Sequence, residues 1–302
     1  MVLLGPPCPR HARIRALLRR GPATWAGDAL ADPGKIAEAL RGCDSLVHLA
    51  YRPPPDGGAL ATLRFELDRN VALTAALVDA AATAGVGSIA FASSAQVYGR
   101  GGLHREDDPV QPTSSYAAAK LIQEQLVRAW ETQTGRPAAV LRLTTVYGPG
   151  EPTRRAIPRF IDAVLNGRPP RVDGQGVHSF SPVFVDDVAD AFGAAVGLNA
   201  RGTFNVGGEP RMIREVAQLV IKLCGVSLNV EEDHFAQVRQ VPGCDVSVAV
   251  AVLGFRVTPL EDGLRKEIDW FRARPQATAQ DPAQALDPAS VLVCPRDLGR
   301  TP

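Results

Sequence analysis

Short apolar runs alternate along the chain with longer stretches in which alanine and leucine recur at helical spacing. SLVHLA (Ser45–Ala50) follows Gly42-Cys43-Asp44, a turn leading into a buried strand. NVALTAALVDAAATA (Asn70–Ala84) predicts a helix stopped by Gly85, and SIAFASS (Ser88–Ser94) predicts a second buried strand. A long helix is expected over Ser115–Thr134, ended by Gly135 and Pro137, with AAVLRLTTVY (Ala138–Tyr147) as the next strand. Strands separated by helices predict a doubly wound α/β layer: a parallel sheet covered on both faces.

Beyond Pro149 the pattern becomes less regular. Ala156–Asn166 predicts a helix, and Pro169-Pro170 with GQG (Gly174–Gly176) predict loop and short strand. VFVDDVADAFGAAVGL (Val183–Leu198) reads as a strand end, an aspartate cap and a helix. GTFNVGG (Gly202–Gly208) is a strand ending in a glycine turn, and helices follow at Met212–Gly225 and Leu260–Arg274. The expected organisation is therefore a first domain over residues 1–150, a smaller substrate lobe over 151–274 interleaved with it, and a disordered tail over 275–302. The tail is rich in Ala, Pro, Gln and Asp, and only VLVC (Val291–Cys294) within it has the makings of a docked segment.

Composition narrows the class. At 302 residues and 45% hydrophobic, the chain can bury a sizeable core. Thirty-three basic residues nearly cancel 32 acidic ones, for a net charge of +1, which removes any global electrostatic case for nucleic acid or an anionic membrane. Every apolar run is too short or too interrupted to span a bilayer, and MVLLGPPCPRHARIR does not read as a signal peptide. The five cysteines are scattered without a CxxC pair, which fits reduced thiols in the cytoplasm and no metal site.

Candidate chemistry sits at the start of the long helix. Tyr116 and Lys120, four apart in YAAAK, share a helix face. An ammonium so placed can lower a phenol's pKa toward neutrality, although in isolation the motif also describes an ordinary exposed pair. Ser94 lies 22 residues upstream, at the carboxyl end of a buried strand, where open α/β sheets bind ligands. Its hydroxyl can bond a substrate oxygen while Tyr116 moves a proton.

With these pieces in order, the sequence resembles the extended short-chain dehydrogenases/reductases, the NAD-dependent epimerase/dehydratase family. Gly27-Asp28, GCDSLVHLA (Gly42–Ala50), Asn70-Val71, SSAQVYG (Ser93–Gly99), YAAAK, LRLTTVYGPG (Leu141–Gly150), VDDVADA (Val185–Ala191), FNVGG (Phe204–Gly208) and Asp245–Phe271 carry the resemblance. It implies a Rossmann-like fold, a Ser94–Tyr116–Lys120 triad, and NAD or NADP as hydride carrier, with NAD favoured. Lys120 would also hold the nicotinamide ribose. Asp28 and Ala29 would lie near the adenine, and His48, Leu49 and Ala50 beside the dinucleotide. Asn70 corresponds to a structural and proton-relay position. The substrate would lie against Ser94, Ala95, Gln96 and Thr145. A homodimer formed through the helices Asn70–Ala84 and Ser115–Thr134 is also implied. Taken alone, Asp28 reads as a turn residue and His48 as a satisfied core histidine.

The departures from the family are as informative. Family members open with a strand, a GxxGxxG turn and a helix that receives the pyrophosphate. Here Gly5 is followed by PPCPR, and prolines lack the N–H groups of a phosphate cradle. Counting back from Gly27-Asp28 leaves room for one strand–helix unit where two are expected: either VLLG is the second strand with Pro9–Arg20 as its helix, the preferred alignment, or VLLGPPCPRHARIRALLRRG is a decayed first unit and the second is lost. Either a Gly-rich unit lies upstream of Met1, or the chain is a cofactor-poor binding protein derived from this fold. Ala95-Gln96 replaces the acidic pair of the sugar dehydratases, pointing instead to a sugar-nucleotide epimerase or a ketone/alcohol oxidoreductase. No arginine precedes Phe180-Ser181-Pro182 in the register that pairs with a diphosphate, although Arg154 or Arg171 could substitute. Asp186 and Asp187 read as helix caps.

Overall fold

All seven residues of the strand Ser88–Ser94 are buried, as expected of a strand covered on both faces. Its side chains divide by parity. Ile89 and Phe91 enter one core, while Ala90 and Ala92 enter another on the opposite face. The computed structural model built around this strand describes residues 2–4, 24–26, 32–55, 59–99, 101–176, 178–233, 241–273 and 291–295.

In chain order the strands are β1 (Val2–Leu4), β2 (Thr24–Ala26), β3 (Cys43–His48), β4 (Ser88–Ser94), β5 (Leu103–His104), β6 (Ala138–Leu143), β7 (Thr145–Tyr147) and β8 (Arg171–Asp173). They continue with β9 (Ser179–Phe180), β10 (Pro182–Phe184), β11 (Gly202–Val206), β12 (Arg211–Met212), β13 (Glu231–Asp233), β14 (Gly243–Cys244) and β15 (Val291–Pro295). The α-helices are α1 (Pro33–Leu40), α2 (Ala59–Phe65), α3 (Ala72–Ala84), α4 (Ser115–Thr134) and α5 (Ala156–Leu165). The last four are α6 (Val185–Gly197), α7 (Ile213–Cys224), α8 (Ser247–Leu253) and α9 (Leu260–Arg272).

The main sheet has seven strands in the order β11-β6-β4-β3-β15-β1-β2. Six of them run parallel, and β15 alone is antiparallel to its neighbours β1 and β3. VLLG therefore does supply a strand, at Val2–Leu4. The expectation of a disordered tail is corrected for Val291–Pro295, which is a sheet strand because it has neighbours on both sides to satisfy its backbone. The remainder of 275–302 and the helix expected at Pro9–Arg20 lie outside the described residues.

One face of the sheet is covered by α1, α3 and α4 through Ile36, Leu40, Leu77, Val127 and Trp130. The other is covered by α6 and α8 through Val188, Phe192, Ala195, Ala249 and Leu253. A third core, with Tyr147, Phe160, Phe184, Val216, Leu264 and Ile268, holds the later helices together.

Local differences from expectation have local causes. The helix expected from Asn70 begins at Ala59 and passes through a π-turn, Glu66–Val71, before α3. The expected strand Ala138–Tyr147 breaks at Thr144, whose N–H bonds to the Val206 carbonyl and whose hydroxyl bonds to the Ser181 carbonyl. Asp187 does not cap α6. Its carboxylate accepts from the Thr258 N–H at 2.7 Å and hydroxyl at 2.6 Å, anchoring the approach to α9.

Helix α4 is fastened across the sheet by a buried charge cluster. Glu124 accepts from Arg142 Nε at 3.0 Å and Nη2 at 2.8 Å, and from the Ser93 hydroxyl at 2.5 Å. Both ionic side chains are almost fully buried. Arg142→Met would strand the carboxylate without its cation, and we expect a loss of about 3–5 kcal/mol of unfolding free energy. Denaturant titration checks this, and the double variant Glu124→Leu/Arg142→Met should recover most of the loss.

Candidate active site

The crevice at the carboxyl ends of β3 and β4 is built by three segments: the exit of β3, the end of β4 and the first turns of α4. Ser114 caps α4, its hydroxyl accepting from the Ala117 N–H at 3.2 Å. The first two turns of the helix deliver Tyr116 and then Lys120 toward β4. Ser94, the last residue of β4, lies close enough to Tyr116 to pull its phenol down, and its hydroxyl accepts from the Gln96 N–H at 3.2 Å. Ser94, Tyr116 and Lys120 are thus brought together.

Lys120 is buried, and its ammonium donates to the Ala92 carbonyl at 2.7 Å. It lies 4.9 Å from the Phe91 ring centre and 5.5 Å from that of Tyr51. Burial pulls its pKa down to about 8, against the opposing pull of Glu66 and Glu124. Tyr116 packs edge-on against Tyr51, with ring centres 5.1 Å apart. The Tyr116 phenol is raised above its usual value, opposite to the sequence expectation. Burial outweighs the lowering by Ser94 and Arg155, and Glu66 adds to the rise.

Tyr51, Glu66 and Arg155 were not singled out by the sequence reading. Glu66 is fully buried on the π-turn, where its carboxylate accepts from the Tyr51 hydroxyl at 2.8 Å and from the Asn70 amide at 2.7 Å. Its spacing of four residues before Asn70 is the one signal that could have revealed it. Asn70 clamps the loop after β3, accepting from the Arg52 N–H and donating to the Arg52 carbonyl, both at 2.8 Å. Both of its amide hydrogens are committed to Arg52 and Glu66, so it serves as a structural clamp and has no donor left for a cofactor.

His48 keeps the bland role that its burial suggests. Its Nε2 meets the Thr74 hydroxyl at 2.8 Å, and Thr74 spends its own proton on the Asn70 carbonyl, so Nε2 is the protonated nitrogen. Burial, with Lys120 adding to it, holds the imidazole neutral, with a pKa near 3. Ala50 is buried and Leu49 half-buried at the β3 exit. Ala95 is buried while Gln96 is exposed on the 3-10 turn after Ser94, and Thr145 pairs with Pro182 between β7 and β10. Asp28 and Ala29 lie outside the described residues.

The third core, beside Tyr147, has an acidic floor. Glu267 on α9 is fully buried, and neither carboxylate oxygen has a hydrogen-bond partner among the described residues. Burial raises it to about 8, with Glu151 adding to the rise and Arg155 opposing it. Glu151 is raised to about 7 by burial, although it pairs with Arg155 at 3.2 Å. The Tyr147 hydroxyl has no hydrogen-bond partner among the described residues and presses on Gly263, where a Cβ would collide with it. Glu267, Asp187 and Asp262 all raise this phenol further.

A Rossmann-like parallel sheet with Ser94, Tyr116 and Lys120 at the carboxyl edge of its strands is the architecture of a short-chain-dehydrogenase-like protein. Comparison with known proteins makes that particular: residues 9–207 match the NAD dependent epimerase/dehydratase family, and the chain belongs to it. A dTDP-glucose 4,6-dehydratase of Streptomyces griseus is 30% identical over 253 residues, covering 81% of this chain and 76% of its own. The solved structure of MoeE5 in complex with UDP-glucose and NAD is similar, with a TM-score of 0.75 at 29% identity over 90% of this chain and 98% of that one. The UDP-glucuronic acid 4-epimerase of Bacillus cereus has the same fold, with a TM-score of 0.78 at 24% identity and 90% of each chain covered. No helix among the described residues is long and apolar enough to cross a membrane.

The nicotinamide end of a dinucleotide fits these residues. Lys120 spends one of its three hydrogens on Ala92, leaving donors that would hold a ribose diol.

The acidic floor yields a pH prediction. A carboxyl whose folded pKa is raised from 4.5 to about 8 favours folding below pH 4.5, and that contribution is lost as pH climbs to about 8. Calorimetric Tm should therefore fall between pH 5 and 8 in the wild type and fall less in Glu267→Gln, which should be the more stable protein at pH 8. Parallel curves would mean that Glu267 is not the titrating group.

Proposed function

We propose that this chain is an NAD(P)-dependent enzyme acting on the carbinol carbon of a nucleotide sugar, an epimerase or a ketone/alcohol oxidoreductase. The observation that carries this is the placement of Ser94 at the carboxyl end of β4 against the Tyr116 phenol, with Lys120 one helical turn on. Tyr116 accepts the substrate hydroxyl proton and returns it. Ser94 donates a hydrogen bond to the same oxygen, steadying the charge that develops there. Arg155 supplies positive potential that favours a buried tyrosinate, and Lys120, one turn along the helix, orients the ribose. The bound nicotinamide supplies hydride exchange at the carbon.

Ala95 and Gln96 stand beside Ser94 and offer no carboxyl for water elimination. Although the curated relatives include dehydratases, this supports epimerisation or simple redox chemistry over dehydration. The similarity to MoeE5, solved with UDP-glucose, makes UDP-glucose with NAD the first substrate to try. Tyr116→Phe should lower turnover by roughly 10²–10⁴-fold while leaving nucleotide-sugar binding intact. Chromatography of the 4-epimer and the 4-keto sugar measures this, and unchanged turnover would overturn the assignment.

A homodimer in the cytoplasm completes the proposal. Leu60, Leu63 and Leu67 form an exposed row along α2 and the π-turn, with Ile122 exposed on α4 nearby. An apolar stripe on two adjoining helices is the kind of surface a second copy covers. Leu63→Glu/Ile122→Glu should convert a dimer to a monomer by light scattering, without loss of helix content. Cys224 and Cys244 are thiols rather than a disulfide, which supports a reducing compartment.

A further inference from the structure

Dinucleotide-binding sheets are built in the order 3-2-1-4-5-6, and the phosphate-binding turn and helix follow the strand at place 1. Here β2, β1, β15, β3, β4 and β6 fill those places in turn, so the strand at place 1 comes from the far end of the chain. We infer that Val291–Pro295 is the resident occupant of that slot, closing the sheet in a direction that leaves the pyrophosphate end of the crevice without its strand–turn–helix cradle.

The register shows why the slot must be filled. β15 pairs Val291, Leu292 and Val293 with Leu4, Leu3 and Val2 of β1. On its other side the same three residues pair with His48, Val47 and Leu46 of β3, and Cys294 pairs with Ser45. Without β15, β1 and β3 would stand two strand spacings apart, roughly 9.6 Å, each with an unpaired edge. β1 and β2 alone, three residues each, are too small to hold together as a separate ribbon. Pro295 lies past a register shift opposite Cys43 and ends the pairing, as its missing N–H requires. The 17 residues between Ala273 and Val291 can span up to about 60 Å when extended.

Direction decides the functional consequence. Val291 lies opposite His48 and Leu4, so the chain enters β15 at the carboxyl edge, where the crevice opens, and leaves at the amino edge. A phosphate-binding helix must start where a parallel strand ends. An antiparallel strand begins there instead, so no helix N-terminus can follow it into the crevice. A parallel Gly-rich strand would have to displace β15, because the slot holds one strand. This inference rests on the proposed NAD(P) chemistry only for its binding arm; the strand itself is tested separately.

The first test uses hydrogen exchange on the full chain. Val293 has neighbours on both sides, so Val293→Pro removes a ladder bond. Amides of Cys43–His48 should lose at least tenfold in protection, and unchanged protection would overturn the inference. Where that variant does not fold, Val47→Cys/Leu292→Cys decides, since the two residues are cross-strand partners. A disulfide between these positions within one chain is expected; its absence, or a bond between two chains, overturns a resident strand. The second test compares NAD⁺ with nicotinamide mononucleotide by calorimetry. Kd values within about tenfold of each other are expected, whereas NAD⁺ binding more than a hundredfold tighter means that a phosphate cradle exists and overturns the consequence drawn for the crevice. Binding of neither would sink the NAD(P) chemistry and with it that consequence, while the exchange and disulfide results still decide the strand.

Discussion

The crevice depends on a buried carboxylate that never touches it. Glu124 is held by two guanidinium nitrogens of Arg142 and by the Ser93 hydroxyl, so one helix and two strands meet at a single charge. Ser93 precedes Ser94, and Glu124 lies one turn beyond Lys120 on the same helix. Fixing Glu124 to Ser93 therefore fixes the distance between the hydroxyl on β4 and the phenol and ammonium on α4. A hydrophobic contact would tolerate sliding by a fraction of a turn. A forked pair with a third hydrogen bond does not, because each displacement breaks a bond to a group that water cannot reach.

The same economy explains residues whose chemistry looked functional in the sequence. His48 and Asn70 are reactive side-chain types beside the crevice, yet each is consumed by scaffolding. His48 ties β3 to Thr74 on α3, and Asn70 pins the Arg52 backbone so that Tyr51 faces Tyr116. Glu66 completes this layer, and its negative charge works on both Tyr116 and Lys120 through a dry interior. The electrostatics of the triad are thus set by residues outside it. Burial raises Tyr116 and lowers Lys120, and Glu66 raises both, favouring the protonated form of each. Ser94 and Arg155 pull the phenol the other way.

What the sequence made legible follows from the range of the forces involved. Helix α4 was readable end to end because its signals are local: a Ser114 cap, a left-handed Gly135 with φ of 69° and Pro137 beyond. The neighbourhood of Ser94, Tyr116 and Lys120 was readable because two of them share a helix and the third ends β4, the strand that helix packs on. The break at Thr144 was hidden, since its cause is a pair of carbonyls, at Ser181 and Val206, supplied by distant segments. The acidic floor was hidden for the same reason. Glu151 and Glu267 lie far apart in sequence, and neither belongs to a recognisable pattern, yet burial in one core couples them.

Strand β15 is the extreme case of non-local information. VLVC stands in a stretch whose Ala, Pro, Gln and Asp content argues for disorder, and three apolar residues carry no direction or partner. Its structure is imposed by the slot, where the edges of β1 and β3 both lack a neighbour. A slot of that kind selects for extended, β-branched residues with little regard to the rest of the segment, because main-chain hydrogen bonds supply most of the recognition. It does not select for direction: parallel and antiparallel ladders both satisfy the two edges. Sheet closure and phosphate binding are therefore separable demands on one position. A parallel strand followed by a glycine turn and a helix meets both, and the antiparallel β15 meets the first alone. The catalytic end of the crevice is insulated from that difference, since Ser94, Tyr116 and Lys120 are positioned from the opposite side of β3, through β4, α4 and the Glu124 cluster.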